Sequence, residues 1–362
     1  MGHWPCTGAR LRDPAAPKHR DEFEIAIICA LTLEAEAVDA LFDKYWSEEI
    51  YRYGKAQGDP NSYTTGAIGH HNVVLAHMPG MGKVSAGMVA ASCRTSFPNI
   101  KLALVVGICG AAPSGTDKED ILLGDVIISE GVVQYDFGRQ FPDRFDPKTH
   151  FTDVLGRPNT EIRSFMSMLK IRRYRDMLRE KMSRHLARLD DTAQHPGAEA
   201  DRLFESAYRH RHQDPGSCPV CAVWKQDGDP VCDLAAGASC EQLNCDEKKS
   251  VPRHRIHEGL PSAAQISALE PEVHFGLIAS GDTVMKSGKR RDELAKNLKV
   301  IAFEMEGAGV WDNLPCVVVK GVCDYADSHK NKKFQKYAAT TAATCMKALL
   351  EILPASVIPD GV

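Results

Sequence analysis

The sequence has no uninterrupted apolar stretch near the roughly 20 residues that a membrane helix needs. Its longest such run, residues 102–112, is short and contains Gly107 and Gly110. No spanning helix, and no membrane partner, is therefore expected. Charge of one sign is not in excess either: 44 Lys+Arg face 48 Asp+Glu, a net charge of −4, so bulk electrostatics does not draw the chain to nucleic acid. Residues 1–20 (MGHWPCTGARLRDPAAPKHR) carry charge and proline but lack the apolar segment of a secretory signal, and the chain reads as intracellular and cytoplasmic. Three hundred and sixty-two residues that are 43% hydrophobic exclude wholesale disorder and supply ample core for one large domain.

What is present alternates short β-branched runs with helical stretches, the pattern of an α/β fold with a largely buried sheet. Strands are expected at 24–30, 71–78, 102–108, 125–129, 274–280, 300–305 and 316–322. Helices are expected at 31–46, 84–96, 289–298 and 334–352. Residues 1–22 read as a tail, 23–353 as one domain, and 354–362 as a second tail. The stretch 160–271 lacks strand periodicity and reads as a helical or irregular insert. Its opening part is a helix candidate with eight basic residues between Lys170 and Arg188 against Asp176 and Glu180, net +6: either a solvated face or an anion contact.

Twelve cysteines divide unevenly. Cys6, Cys29, Cys93, Cys109, Cys316, Cys323 and Cys345 are scattered, several in apolar runs where a thiol packs as a small hydrophobe. Cys218, Cys221, Cys232, Cys240 and Cys245 share one window that opens as C-x-x-C. Cys218 and Cys221, with His210 and His212 upstream, are candidates for a structural zinc site, although the later cysteines form no second C-x-x-C. Disulfides are disfavoured inside a cell.

The chemistry-bearing residues gather near 301–327 (IAFEMEGAGVWDNLPCVVVKGVCDYAD), where Glu304, Met305, Glu306, Asp324 and Asp327 follow the ends of two strands. Open α/β sheets bind ligands at that edge. Any one of these carboxylates could instead cap the next helix. Gly80-Met81-Gly82-Lys83 and Gly107 to Gly110 supply loops where backbone can approach a ligand, but G-x-G-K lacks the spacing of a Walker loop.

The motifs Glu304-Met305-Glu306-Gly307-Ala308-Gly309, Val322-Cys323-Asp324-Tyr325-Ala326-Asp327, Val106-Gly107-Ile108-Cys109-Gly110-Ala111 and Leu123-Gly124-Asp125-Val126 resemble the purine nucleoside phosphorylase and uridine phosphorylase superfamily, and within it the methylthioadenosine/S-adenosylhomocysteine nucleosidases. The resemblance covers about 23–153 and 274–353. Residues 132–139 and 274–294 look closer still to nucleoside-phosphorylase-like domains at the N-termini of fungal proteins that continue into NACHT or ankyrin modules, for which this chain offers no room. The resemblance implies a central mixed sheet flanked by helices, a homo-oligomer, no cofactor, and cleavage of a nucleoside's N-glycosidic bond.

On this resemblance Asp324 matches the general acid, which must be protonated by burial or share a proton with the base. Glu306 matches the residue holding the ribose hydroxyls, and Met305 the one packed on sugar and base. Glu304, Gly107, Cys109 and Gly110 fall in the same pocket, while Ser280, Asp282 and Thr283 match the segment lining the base site, unless they form a plain turn. Phosphorylases of the superfamily carry arginine after the first strand and before the central V-G-x-C-G. Here those places hold ALTLEAEAV (30–38) and Val105. The nucleosidase branch has a water-activating glutamate in that first loop, and alignment places Glu34 on it, with Glu36 two residues on. Glu34 could also simply complement a helix N-terminus. The expectation is a purine nucleosidase using purine nucleoside and water. A phosphate-dependent phosphorylase and a non-catalytic nucleoside-sensing domain are the alternatives.

Overall fold

The computed structural model describes residues 14–46, 53–113, 120–148, 150, 152–189, 194–214, 216–225, 229–257 and 270–354. Strand β1 (Ile25–Cys29) opens the sheet and runs parallel to both β4 (His71–His77) and β5 (Leu102–Ala111). Beyond β5 come β11 (Cys316–Asp324), β6 (Val126–Gln134), β9 (Val273–Ser280) and β10 (Val300–Glu304). On the far side of β4 lie β3 (Ser62–Ile68) and β2 (Lys44–Tyr45), so nine strands form one mixed sheet, while β7 (Gly138–Gln140) and β8 (Phe145–Pro147) pair separately.

The sheet curls on itself. The end of β5 leaves its central position and pairs antiparallel with β10, Phe303 opposite Gly110 and Ala302 opposite Ala111. Strands β5, β11, β6, β9 and β10 thereby close into a ring. The alternating residues of β5 explain its length: Ala103, Val105 and Cys109 face one apolar cluster, while Leu102, Leu104 and Val106 face the other. A strand buried on both faces reads as a continuous apolar run, as this one does. Helices α2 (Lys83–Ser96) and α9 (Gly307–Trp311) contribute to the first cluster through Ala86, Val89 and Val310. Helices α1 (Thr32–Asp39), α3 (Thr160–Leu169), α4 (Arg172–Leu186) and α10 (Gln335–Ile352) contribute to the second through Val38, Met166, Leu178 and Leu349. Helix α8 (Gly288–Leu298) precedes β10. Among the described residues no helix is long and apolar enough to cross a membrane.

The structure departs from the expected elements at α1 and in the unforeseen edge strands β2 and β3. A helix is expected through residue 46, but α1 ends at Asp39. Asp43 N then donates to Ala67 O (2.9 Å) and Trp46 N to Thr65 O (2.9 Å), so the chain joins the sheet edge instead of continuing the coil. The apolar spacing of Leu41 and Phe42 survives because Leu41 still enters the core. The basic helix forms as expected, as α4, with α3 ending just before it at Leu169. Of the eight basic residues between Lys170 and Arg188, five pair within the chain: Lys170 with Glu130, Arg172 with Asp176 (3.8 Å), Arg179 with Glu272, Lys181 with Glu351 (2.6 Å) and Arg184 with Glu180 (2.7 Å).

Between α4 and β9 the described residues form only short helical turns, among them α5 (Pro219–Ala222), α6 (Asp233–Gly237) and α7 (His254–His257), and one isolated bridge between Phe204 and Ser250. The apolar cluster within this part is small: Cys218, Cys221, Cys232, Ala235 and Leu243.

Candidate active site

Ring closure brings the ends of β5, β10 and β11 beside the N-terminus of α1. There they surround a cavity of about 360 Å³ whose walls include Glu34, Ile108, Cys109, Met305, Glu306 and Asp324. That volume lies within the roughly 300–1,000 Å³ usual for small-molecule sites.

Glu34 sits in the first turn of α1 and is 2% exposed. Its Oε2 accepts from Ala30 N (3.0 Å) and Leu31 N (2.9 Å), and its Oε1 from Ile108 N (2.8 Å), so the carboxylate bridges the β1 loop and β5. Gly107 makes that bridge possible, since a Cβ there would overlap Glu34 Oε1. Gly110 serves Asp324 likewise: a Cβ would lie 2.7 Å from Asp324 Oδ1. Glu36 is exposed on the opposite side of the turn.

Glu304 ends β10 and turns inward. Its Oε2 accepts from Glu306 N and Gly307 N, both at 2.9 Å, and its Oε1 from Gly307 N at 3.0 Å. Ser280 is fully buried, with its Oγ accepting from Ala308 N at 3.0 Å, so it secures the same turn from β9. Glu306 is thereby aimed at Lys320 of β11, with Oε2 and Nζ 2.8 Å apart.

Lys320 is fully buried and was not singled out by the sequence reading. Its Nζ also lies 3.8 Å from Glu304 Oε2. Burial disfavours its ammonium, but Glu306, Glu34 and Glu304 outweigh that and push its pKa up. One ammonium thus faces three buried carboxylates. Burial pushes Glu34 above the ordinary carboxyl range, with Lys320 opposing the rise and Glu306 adding to it. Glu304 is raised for the same reasons in the same order. A lone lysine inside the otherwise apolar CVVVKGV was the signal that could have revealed it.

Asp324 lines the same cavity from the end of β11. Its Oδ1 accepts from Ala326 N (2.9 Å), and its Oδ2 lies 2.7 Å from Lys330 Nζ and 3.1 Å from Cys323 Sγ. Ala326 takes a left-handed backbone conformation, φ 52°, which costs a non-glycine residue energy and marks a turn held by its surroundings. Asp327 points elsewhere: its Oδ1 accepts from His329 N (2.8 Å), and its Oδ2 lies 3.7 Å from Arg291.

The remaining candidates separate. Thr283 and Met305 line the cavity, as does Cys109, whose thiol is pushed up by burial. Asp282 does not line it. Its Oδ1 accepts from Lys83 N (2.8 Å), while its own N–H donates to Asp136 Oδ2 (2.8 Å), so it joins the 280–283 loop to the start of α2. Lys330 and Lys332 are cavity residues that the sequence reading did not select. The cysteine window is rearranged relative to expectation: Cys218 and Cys221 gather with His212 and Cys232, whereas His210 joins a different group with Cys245 and His329.

This fold and site define a class. Over residues 24–353 the sequence matches the Phosphorylase superfamily, and the chain belongs to that family. It is 32% identical over 341 residues to a nucleotide-binding leucine-rich repeat (NLR)-like protein of Hyaloscypha variabilis, an alignment covering 92% of this chain and 30% of that protein. The chain therefore spans less than a third of that relative's length. It is also 23% identical over 301 residues to a 5'-methylthioadenosine/S-adenosylhomocysteine nucleosidase of Mycobacterium bovis, covering 81% of this chain and 85% of that one. Among solved structures, futalosine hydrolase of Helicobacter pylori superposes with a TM-score of 0.51 at 16% identity, covering 92% of this chain and 99% of its own. A Borrelia burgdorferi structure described as a putative nucleosidase of the methylthioadenosine type, bound to adenine, gives a TM-score of 0.52 at 16% identity, covering 91% and 100%. At such identities these structures establish the shared fold alone.

Proposed function

We propose that the protein is a purine nucleosidase that hydrolyses the N-glycosidic bond of purine ribonucleosides, giving free base and ribose. The observation that carries this reading is Glu34: a buried carboxylate, fixed by three backbone N–H groups and raised by burial, on the wall of a cavity that Asp324 also lines. A carboxyl group with raised pKa is a better base than an exposed one, and its rigid mounting favours a defined water position. Water enters at the anomeric carbon as its bond to the base nitrogen breaks. Glu34 takes the proton that the water loses, and Asp324 furnishes the proton that the departing base gains. Positive charge that develops on the ribosyl ring is met by Glu306, oriented by Lys320. The name of the Mycobacterium bovis relative, a nucleosidase, supports the same reaction type.

Phosphorolysis is the second reading, favoured by Lys330 and Lys332 on the cavity wall. Lys330 is, however, already paired with Asp324 at 2.7 Å. The deciding experiment incubates purified protein with a panel of purine nucleosides, with and without phosphate, and scores base, ribose and ribose 1-phosphate. Base and free ribose without phosphate are expected. Ribose 1-phosphate as the main sugar product would overturn the hydrolase, and nucleoside binding without turnover would assign a sensing domain.

A further inference from the structure

The part of the chain between α4 and β9 has little to hold it together. Its helical turns are four and five residues long, and three of the five buried members of its apolar cluster are cysteines. Segments this small and poor in core need a staple. Every cysteine among the described residues is a free thiol.

The thiols sit at distances that suit a metal. Cys218 Sγ and Cys232 Sγ are 3.7 Å apart, Cys221 Sγ is 3.4 Å from His212 Nδ1, and Cys232 Sγ is 3.9 Å from the same nitrogen. A tetrahedral ion with Zn–S of about 2.3 Å and Zn–N of about 2.0 Å separates its sulfurs by about 3.8 Å and sulfur from nitrogen by about 3.5 Å. The four ligand atoms all lie within 4.8 Å of one another, as the edges of one such tetrahedron must. The N–H groups of Val220 and Cys221 hydrogen-bond to Cys218, the kind of outer support that holds a thiolate ligand.

A second group lies two residues away along the chain. His210 Nε2 is 2.9 Å from Ala238 O, so that nitrogen donates and Nδ1 carries the lone pair. Nδ1 then faces Cys245 Sγ at 3.5 Å and Cys240 Sγ at 3.8 Å. The fourth member is His329, which is 6% exposed and whose two ring nitrogens have no hydrogen-bond partner among the described residues. One ring nitrogen of His329 lies within 4.8 Å of the ligand atoms of His210 and Cys245. A buried imidazole left unsatisfied is costly unless something binds it.

We propose two structural zinc sites: Cys218, Cys221, Cys232 and His212 in the first, and His210, Cys240, Cys245 and His329 in the second. The second is not confined to the insert. His329 belongs to the turn after β11, and its neighbour Lys330 is the residue paired with Asp324. The ion at that site ties the insert to the segment that forms one wall of the cavity.

The test is metal content of the full chain, purified from zinc-supplemented cells and measured by plasma mass spectrometry. Two zinc ions per chain are expected, falling to one in His212→Ala and to one in His329→Ala, with two restored in His329→Cys. Because a variant could fail to fold, the wild-type chain is also loaded with cobalt(II), and the thiol reactivity of the window is followed before and after chelation. Tetrahedral thiolate-bound cobalt absorption, and thiols that react only after chelation, are expected. Zinc absent from the wild type, or a zinc count unchanged by either alanine substitution, would overturn the assignment, as would thiols that react freely before chelation. A single ion lost on His212→Ala but kept on His329→Ala would overturn the second site.

Discussion

Glu34→Gln isolates the carboxylate that the reaction reading depends on. The side chain keeps its length, but its amide has one acceptor where the carboxylate has two. In the native site Oε2 receives Ala30 N and Leu31 N, while Oε1 receives Ile108 N. With the amide oxygen in the Oε2 place, the new NH₂ confronts the Ile108 N–H donor to donor, and the flipped orientation abandons two bonds instead of one. Leaving a buried donor unsatisfied costs about 1–3 kcal/mol, so melting should move down by a few degrees with the fold intact. The kinetic effect should be far larger. Loss of a general base lowers turnover by about 10²–10⁴-fold, equivalent to about 3–5 kcal/mol in the barrier. Nucleoside affinity should change little, since the ribose is assigned mainly to Glu306.

The assay is continuous purine release, paired with calorimetric titration of nucleoside into the same preparation and a thermal melt. Glu36→Gln is the control, because Glu36 is exposed two residues further along the same turn and should be nearly silent. Turnover that survives in Glu34→Gln and fails in Glu36→Gln would show that the wrong glutamate has been assigned. Wild-type turnover in both would place water activation elsewhere and remove the main support for a dedicated hydrolase.

Asp324→Asn should lower turnover by about 10²-fold or more while calorimetric nucleoside binding persists. Near-wild-type turnover would remove Asp324 from the reaction. Gly107→Ala should abolish most purine release, since its Cβ would displace Glu34 Oε1 from Ile108 N; an active variant with an unchanged melt would show that this bond is dispensable. Glu351 tests the packing of α4 on α10. Burial works against its carboxylate, but His185 (3.0 Å) and Lys181 (2.6 Å) outweigh that and hold its pKa at about 2 against an ordinary 4.5. A carboxyl held down in the folded state stabilises above its unfolded pKa, and that stability is lost as pH falls from 4.5 toward 2. Glu351→Gln should therefore cost about 1–2 kcal/mol at neutral pH, after allowance for partial exposure, and converge on wild type in acid denaturant titrations. A difference that persists at the acid end would mean that packing, not charge, is lost.

The core of the fold was readable because its strands are buried on both faces. Residues 102–108 and 316–322 could be nothing but interior strands, and each lies within the strand observed. The glutamates after β10 and the aspartate ending β11 were readable as a cluster for the same reason, since strand ends locate them. What local pattern could not carry was pairing between distant segments. Nothing in residues 109–111 or 302–303 announces that β5 will bend to meet β10, yet that contact closes the ring. Strand β3 escaped notice because SYTTGAI is half polar and lies near the open edge, where only part of each face is buried. The basic helix was ambiguous because its partners, Glu130, Glu272 and Glu351, lie far off in sequence.

Lys320 was missed for a related reason, and it bears on the choice between water and phosphate. In isolation a lysine in a strand reads as an edge residue. Only the fold reveals that Glu34 from α1 meets Glu304 and Glu306 from the end of β10 and the turn after it around this lysine. If all three glutamates ionise against one ammonium, the set carries a formal charge of −2. Each uncompensated charge opposes an incoming anion by on the order of 4 kcal/mol at 4 Å in a partly screened site. A phosphate at Glu34 would meet that opposition with Lys320 already engaged by Glu306 at 2.8 Å. A neutral water meets none of it and gains a fixed carboxylate to orient it. Burial first, and the charge of Glu306 after it, raise Glu34 and Glu304 against the opposing pull of Lys320, and a group so raised is poised to accept a proton rather than to bind an anion. The electrostatics of this wall therefore favour hydrolysis by the same arrangement that makes Glu34 basic.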